Sequence, residues 1–412
     1  EDYDYNKINS VLSRNTIDNL STIVPTSIDN ILLIGSTGYL GSHIIDEFIK
    51  QNSGIIYCLI RPKNNVDPTT RLKQTLEFYF GKKYINEITK RIRVLSGDIT
   101  KENLGLSNSY YLVKNNIDAV INSGAIVKHY GLKKEFEEIN VIGTKNVVEF
   151  CKKENKRLLH ISTMSVSGSG EKEEAIEENP ENINYKKQFS ETNLFVGQKL
   201  KGIYTTTKYK AELIILEAIY NGLNAQILRL GNITNRYSDG VFQQNVDNNA
   251  FAKRIKSFIE IGAFPKYMLK HSIELTPVDL AAEAIVKILN YESNCNVFHI
   301  YNTKLMPITL LLDTLNHLGY ELLPMSNDML ASLITGILAD NNKKDYLSGI
   351  IYDLDEKKKL IYTYNVRLHA NFTNEYLKRL SFDWQEIDEN YIIRYMDYFR
   401  KINFISGGDI NE

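Results

Sequence analysis

The run Ile31-Leu32-Leu33-Ile34, followed at once by Gly35-Ser36-Thr37-Gly38-Tyr39-Leu40-Gly41, limits the fold more tightly than any other feature of the chain. Four consecutive apolar residues without polar alternation read as a strand buried on both faces, the kind found in parallel sheets. Glycines then recur at G-x-x-G-x-x-G spacing, and residues 40–50 are amphipathic with a helical period. In a strand–loop–helix unit the first glycine permits the tight turn. The second lets backbone N–H groups approach a pyrophosphate, and the third lets helix and strand pack closely. The pyrophosphate would lie at a helix N-terminus, where unpaired N–H groups and the dipole favour negative charge. Gly35, Thr37, Gly38, Tyr39, Leu40 and Gly41 are therefore the candidate cradle for a dinucleotide.

The unit is repeated along the chain. Residues 55–60, 94–95, 119–121, 158–162 and 225–230 read as further buried strands, separated by helical patterns at 69–80, 136–153 and 204–220. Such alternation predicts an α/β fold, a Rossmann-type doubly wound parallel sheet covered on both faces. Beyond residue 235 the rhythm weakens, although 278–289 reads as a helix and 297–301 as a strand returning to the sheet. The expected organisation is a dinucleotide-binding domain at 28–235, rejoined by 273–302. A smaller, mostly helical substrate subdomain is expected at 236–272 and 303–405, with a tail at 406–412. Residues 1–27 read as a linker or surface-packed lead-in.

At 412 residues the chain can bury a large core. Its formal net charge of -1 supplies no global field for nucleic acid or an anionic membrane surface. Three widely spaced cysteines, with no metal-ligand spacing to the histidines, read as reduced thiols of a cytoplasmic protein. No stretch reaches the roughly 18 apolar residues needed to span a bilayer. The first residue is Glu1 rather than methionine, so the sequence reads as a piece of a longer polypeptide or a processed start.

The candidate site residues follow the glycine loop in order. Arg61 stands 20 residues past Gly41, at the end of the second strand. An acidic residue there would bind a ribose 2′-hydroxyl; an arginine accommodates a 2′-phosphate, which favours NADPH. Arg71 could reach the same phosphate or simply be solvated. Asp98, with Ile99 beside it, could accept from the adenine amino group or cap its own turn. Ser123, Gly124 and Ala125 would let the nicotinamide end lie close to the backbone. Tyr204 and Lys208 are one helical turn apart on one face. Hydride delivery to a carbonyl leaves an oxyanion, which the Tyr204 phenol can bond and protonate and the Thr163 hydroxyl can also reach. Lys208 would favour the phenolate and hold the nicotinamide ribose hydroxyls.

The segments GSTGYLGSHI, YCLIRP, GDIT, NSGA, ISTMSV, YTTTKYKAE, ILRLGNIT and TPVDLAA, in that order, resemble the terminal thioester reductase domains of nonribosomal peptide synthetases. These belong to the extended short-chain dehydrogenase/reductase superfamily, and related domains end carboxylic acid reductases. The resemblance covers residues 28–300, and 384–404 is similar to the family's C-terminus. It implies NADPH-dependent reductive release of a peptidyl or acyl thioester from the phosphopantetheine arm of an upstream carrier protein. The product would be an aldehyde, which some members reduce to an alcohol. It implies Thr163, Tyr204 and Lys208 as the catalytic set. Thr207, Tyr209 and Leu230 depart from the serine, tryptophan and proline common in the family, and none of them is a reacting group. The insert at 168–203 would lie near the substrate mouth, either touching the carrier or forming a solvated loop. Other extended short-chain enzymes remain as alternatives, namely a fatty acyl-CoA reductase or a nucleotide-sugar epimerase or dehydratase. A non-catalytic NADP-sensing module is a further one.

Overall fold

The computed structural model describes residues 3–63, 66–126, 132–168, 187–200, 202–360 and 366–407. The strands predicted from continuous apolar runs all form. They are β1 (Ile31–Ile34), β2 (Ile56–Ile60), β3 (Ile92–Ser96), β4 (Ala119–Asn122), β5 (Arg157–Thr163), β6 (Ala225–Leu230) and β7 (Val297–Ile300). Together they make one seven-stranded sheet in the order β7-β6-β5-β4-β1-β2-β3, every pairing parallel. In β1, β2, β4, β5, β6 and β7 every residue is buried, as a sheet covered on both faces requires.

Helices α1 (Tyr5–Leu12), α2 (Tyr39–Gln51), α3 (Pro68–Phe80), α4 (Tyr110–Asn116), α5 (Gly143–Lys153), α6 (Ile203–Tyr220) and α7 (Ala250–Ile261) come next in chain order. They are followed by α8 (Val278–Leu289), α9 (Ile308–His317), α10 (Asn327–Ala339), α11 (Asn371–Arg379) and α12 (Glu389–Lys401). Pro68 starts α3 where its missing N–H costs nothing, and the Asp67 side chain caps it by accepting from Thr70 N. The sheet has an apolar core on each face. One contains residues of α5 and α6, the other residues of α2, α3 and α8. A third core belongs to α7, α9, α10 and α12, the small subdomain.

Three expectations shift. The lead-in is a packed element: Ile8, Val11 and Leu12 of α1 are buried in the core that holds α6, and Val24–Pro25 pairs antiparallel with Tyr291–Glu292. The stretch 303–405 does not all belong to the small subdomain. Phe372, Tyr376, Leu377, Phe382 and Trp384 join the sheet core, with the Tyr376 ring 4.7 Å from Phe298 of β7, because β7 would otherwise leave an apolar face bare. The insert at 168–203 lies outside the described residues at 169–186 and 201, and the expected tail does so from 408. The described part, 187–200, is pinned at a few buried residues, while Phe195 and others stay exposed. Lys187–Phe189 pairs parallel with Val366–Leu368, the Phe189 side chain is fully buried, and Gln198 donates to Val166 O at 3.0 Å. Among the described residues no helix is long and apolar enough to cross a membrane, and Cys58, Cys151 and Cys295 are buried free thiols.

Candidate active site

The strand order reverses between β2 and β4, both neighbours of β1, so a crevice opens beyond the C-terminal ends of β1 and β4. The glycine loop sits there. Gly35 has φ +88°, and a Cβ on it would lie 2.6 Å from Ser123 O. A Cβ on Gly41 would lie 2.1 Å from Gly35 O, and one on Gly38 would press on the same oxygen at 3.2 Å. Only glycine lets the turn close this far. Gly38 is the N-cap of α2 and offers no side-chain acceptor, which leaves first-turn N–H groups of α2 directed at the crevice. That cradle fits the diphosphate of a dinucleotide.

The other predicted cofactor residues are placed unevenly. Ser123, Gly124 and Ala125 continue β4 into the crevice, with Ser123 N donating to Ile34 O at 3.0 Å and Gly124 N to Asn122 Oδ1 at 3.2 Å. Thr37 and Leu40 are half-buried on the loop. The Tyr39 side chain faces away: its hydroxyl donates to Thr234 O and Val241 O, at 3.0 and 3.1 Å, and its ring packs on Phe242. Only its backbone remains for a ligand. Arg61 is exposed at the end of β2, and Arg71 donates to the Arg61 carbonyl at 2.6 Å, so the two arginines share one corner. Asp98 Oδ1 accepts from Thr100 N and Oγ1 at 2.9 and 2.8 Å, which realises the turn-cap reading. Ile99 is buried in the sheet core, its carbonyl accepting from Asn146 at 2.7 Å.

The catalytic candidates converge. Thr163 ends β5, its hydroxyl donating to Ser165 Oγ and accepting from Ser165 N, both at 3.1 Å, and it stands beside the Tyr204 phenol from α6. Burial pushes the Tyr204 pKa up to about 12, with the Thr163 hydroxyl opposing. One turn on, Lys208 is buried and donates to Ile161 O at 2.6 Å and reaches His160 Nε2 at 3.2 Å. Burial lowers its pKa to about 8, with Glu212 opposing. Lys208 is held by β5 through Ile161 O, and burial keeps the Tyr204 phenol protonated.

Sequence reasoning missed the support beneath these residues. His160, kept neutral by burial and by Lys208, has Nδ1 3.3 Å from Asn122 Nδ2 of β4. The signal was a histidine inside an otherwise apolar strand. Glu212, one more turn along α6, is fully buried and bridges Arg229 of β6 at 2.7 Å while accepting from Ser162 at 2.5 Å. Asn140 lies in the π-helical turn Glu137–Ile142, donates to Thr207 Oγ1 at 3.0 Å and accepts from Ile126 N at 3.0 Å. Among the described residues no cluster of His, Cys, Asp and Glu could hold a metal ion.

Comparison with known proteins gives consistent matches. Residues 33–285 fit the profile of an NAD-binding family described as Male sterility protein. The chain superimposes on a thiolation-reductase di-domain from an archaeal non-ribosomal peptide synthetase with a TM-score of 0.84 and 31% identity, over 98% of this chain and 82% of that one. The terminal R domain from the myxalamid PKS-NRPS pathway aligns with a TM-score of 0.75 at 23% identity, covering 98% and 100% of the two chains, a likeness of fold. A linear gramicidin synthase polypeptide of Brevibacillus parabrevis is 24% identical over 92% of this chain; the match spans only 7% of that protein's length.

Proposed function

The chain belongs to the Male sterility protein family of NAD-binding domains, beside the reductase domains of nonribosomal peptide synthetases, and from that membership we propose that it reduces an acyl or peptidyl thioester carried on a phosphopantetheine arm. NADPH is the proposed reductant and an upstream carrier protein the proposed partner. The observation that carries the reading is the Thr163–Tyr204 hydroxyl pair at the end of β5, with Lys208 beneath it, beside the switch-point crevice.

Bound in the crevice, NADPH would supply the hydride. The rest of the chemistry falls to the chain. Backbone N–H groups of the glycine loop and of the start of α2 would hold the diphosphate, and Ser123 to Ala125 would let the nicotinamide end approach. Arg61, seconded by Arg71, would take the 2′-phosphate, and Asp98 would accept from the adenine amino group. Lys208, anchored by Ile161 O and His160, would present its remaining N–H to the ribose hydroxyls. Tyr204 and Thr163 donate hydrogen bonds to the thioester carbonyl oxygen, where charge develops as its carbon accepts the hydride. The Tyr204 proton passes to that oxygen, giving a hemithioacetal. Collapse of this adduct breaks the C–S bond, and the thiol leaves with the hydroxyl proton as the aldehyde forms. A phenol kept protonated across the neutral range suits a donor better than a base.

NADPH absorbance followed with an aminoacyl-pantetheine thioester tests the reading. The wild-type protein should oxidise NADPH only when thioester is present, and Tyr204→Phe should lower kcat by about 10²–10³-fold with NADPH binding retained. NADPH binding without consumption of any thioester would overturn the reading in favour of a nucleotide-sugar enzyme or a cofactor sensor.

A further inference from the structure

A cavity of about 380 Å³ opens in the small subdomain between α7 and α9, with Phe258, Phe264, Met268, Leu311 and Leu312 in its walls. These residues are all members of the subdomain's own core. The polar side chains on its lining are few. Arg254 is committed to an ion pair with Asp353, so it brings no spare cation for an anionic guest. Asn232 and Glu274 also line the cavity, and Glu274 accepts from Asn232 N at 2.7 Å.

The position of Asn232 connects this cavity to the reacting groups. Leu230, the last residue of β6, is the register partner of Thr163, and Asn232 lies two residues further on. Strand spacing plus two residues of chain bring Asn232 within roughly 12 Å of Thr163, Cα to Cα. Gly231 lies between them, and a Cβ there would meet Glu274 Oε2 at 2.7 Å, so the carboxyl can close on the strand end only because of that glycine.

We propose that this cavity receives the apolar side chain of the acyl group being reduced, so that the preferred substrates are thioesters of bulky aliphatic or aromatic aminoacyl groups. The inference rests on the thioester-reductase reading and names its substrate class. Size and polarity both support it. A dry apolar cavity of roughly 150 Å³ already holds a benzene ring, so this one takes a leucyl or phenylalanyl side chain with room beyond it. An acidic side chain would enter apolar walls beside a second carboxyl, with no uncommitted cation among the described lining residues to meet it. Glu274 itself is kept partly protonated near neutrality, because burial pushes its pKa up to about 7.

The test compares kcat/KM for leucyl-, phenylalanyl-, glycyl- and aspartyl-pantetheine with NADPH. Leucyl and phenylalanyl thioesters should exceed glycyl by about 10–200-fold, and aspartyl should fall below glycyl. Leu312→Trp, which fills the cavity, should bring the leucyl-to-glycyl ratio towards 1. Ala250→Trp narrows the same space from an exposed residue at the start of α7, so the comparison survives if the Leu312 variant misfolds. Glycyl or aspartyl thioesters reduced as well as leucyl by the wild type would overturn the inference while leaving the reductase reading intact. No turnover of any thioester would overturn both.

Discussion

Arg61 and Lys208 make separable demands on the cofactor. Arg61 is exposed, so its guanidinium is free of a burial cost and its worth lies in what it meets. A charge-assisted hydrogen bond to phosphate is worth about 1.5–3 kcal/mol. Arg61→Ala should therefore raise KM for NADPH roughly 10–100-fold and leave KM for NADH nearly unchanged, measured side by side under steady-state turnover. Lys208 is buried, and its pKa near 8 sets a different limit. If its ammonium holds the ribose, kcat/KM for NADPH should fall as pH rises through about 8, because that parameter reports the free enzyme. Stability should move the other way. Between the folded value near 8 and the unfolded value of about 10.5 the unfolded chain binds more protons at this site, so the Lys208 contribution to stability grows with pH. Alkaline loss of activity is then titration, not unfolding. Lys208→Arg, always charged, should remove that alkaline limb whatever it does to the rate; a limb near pH 8 persisting in the variant would assign it to another group.

Helix α6 places Tyr204, Lys208 and Glu212 one turn apart on a single face, and each meets the sheet differently. Tyr204 meets the end of β5, Lys208 its backbone, and Glu212 the Arg229 guanidinium of β6. The Tyr204–Lys208 spacing was legible from sequence because 3.6-residue periodicity puts i and i+4 together. Glu212 was not, because an acidic residue at helical spacing normally reads as solvated; what buries it is Arg229 from a strand 17 residues away. Removing one partner of a fully buried pair strands the other charge, at a cost of about 3–5 kcal/mol. With unfolding entropy proportional to chain length, Glu212→Leu should lower the melting temperature by roughly 3–6 °C. The double variant Glu212→Leu/Arg229→Met should recover most of that loss, since no buried charge is left unpaired. Thermal unfolding followed by circular dichroism checks both, and equal losses in the two variants would refute the account.

The sheet was readable because its central strands are buried on both faces and must be written as apolar runs, with glycines fixed where two loops meet at the switch point. The periphery was not, since a short amphipathic segment carries no mark of which face of a large molecule will cover it. The first 22 residues show the difficulty. They look polar, yet Ile8, Val11 and Leu12 of α1 are buried with α6, and Leu20 is buried on the opposite face of the sheet. Tyr209, which lies next to Lys208 on the catalytic helix, belongs to the same core as Ile8, Val11 and Leu12. Asn15 ties the same segment to the sheet edge, accepting from Asn296 N and Val297 N at 2.8 and 3.1 Å. Each buried aliphatic side chain is worth about 1.5–3 kcal/mol, so four amount to roughly 6–12 kcal/mol as an upper estimate. That is comparable with the whole stability of an ordinary domain, about 5–15 kcal/mol. A chain starting at Thr22 should therefore lose its cooperative thermal transition, not merely shed a linker. Leu12→Ala alone should cost about 2–5 kcal/mol in denaturant unfolding. A truncated chain that melts as cooperatively as the full one, at the same temperature, would show that α1 packs without contributing to the fold.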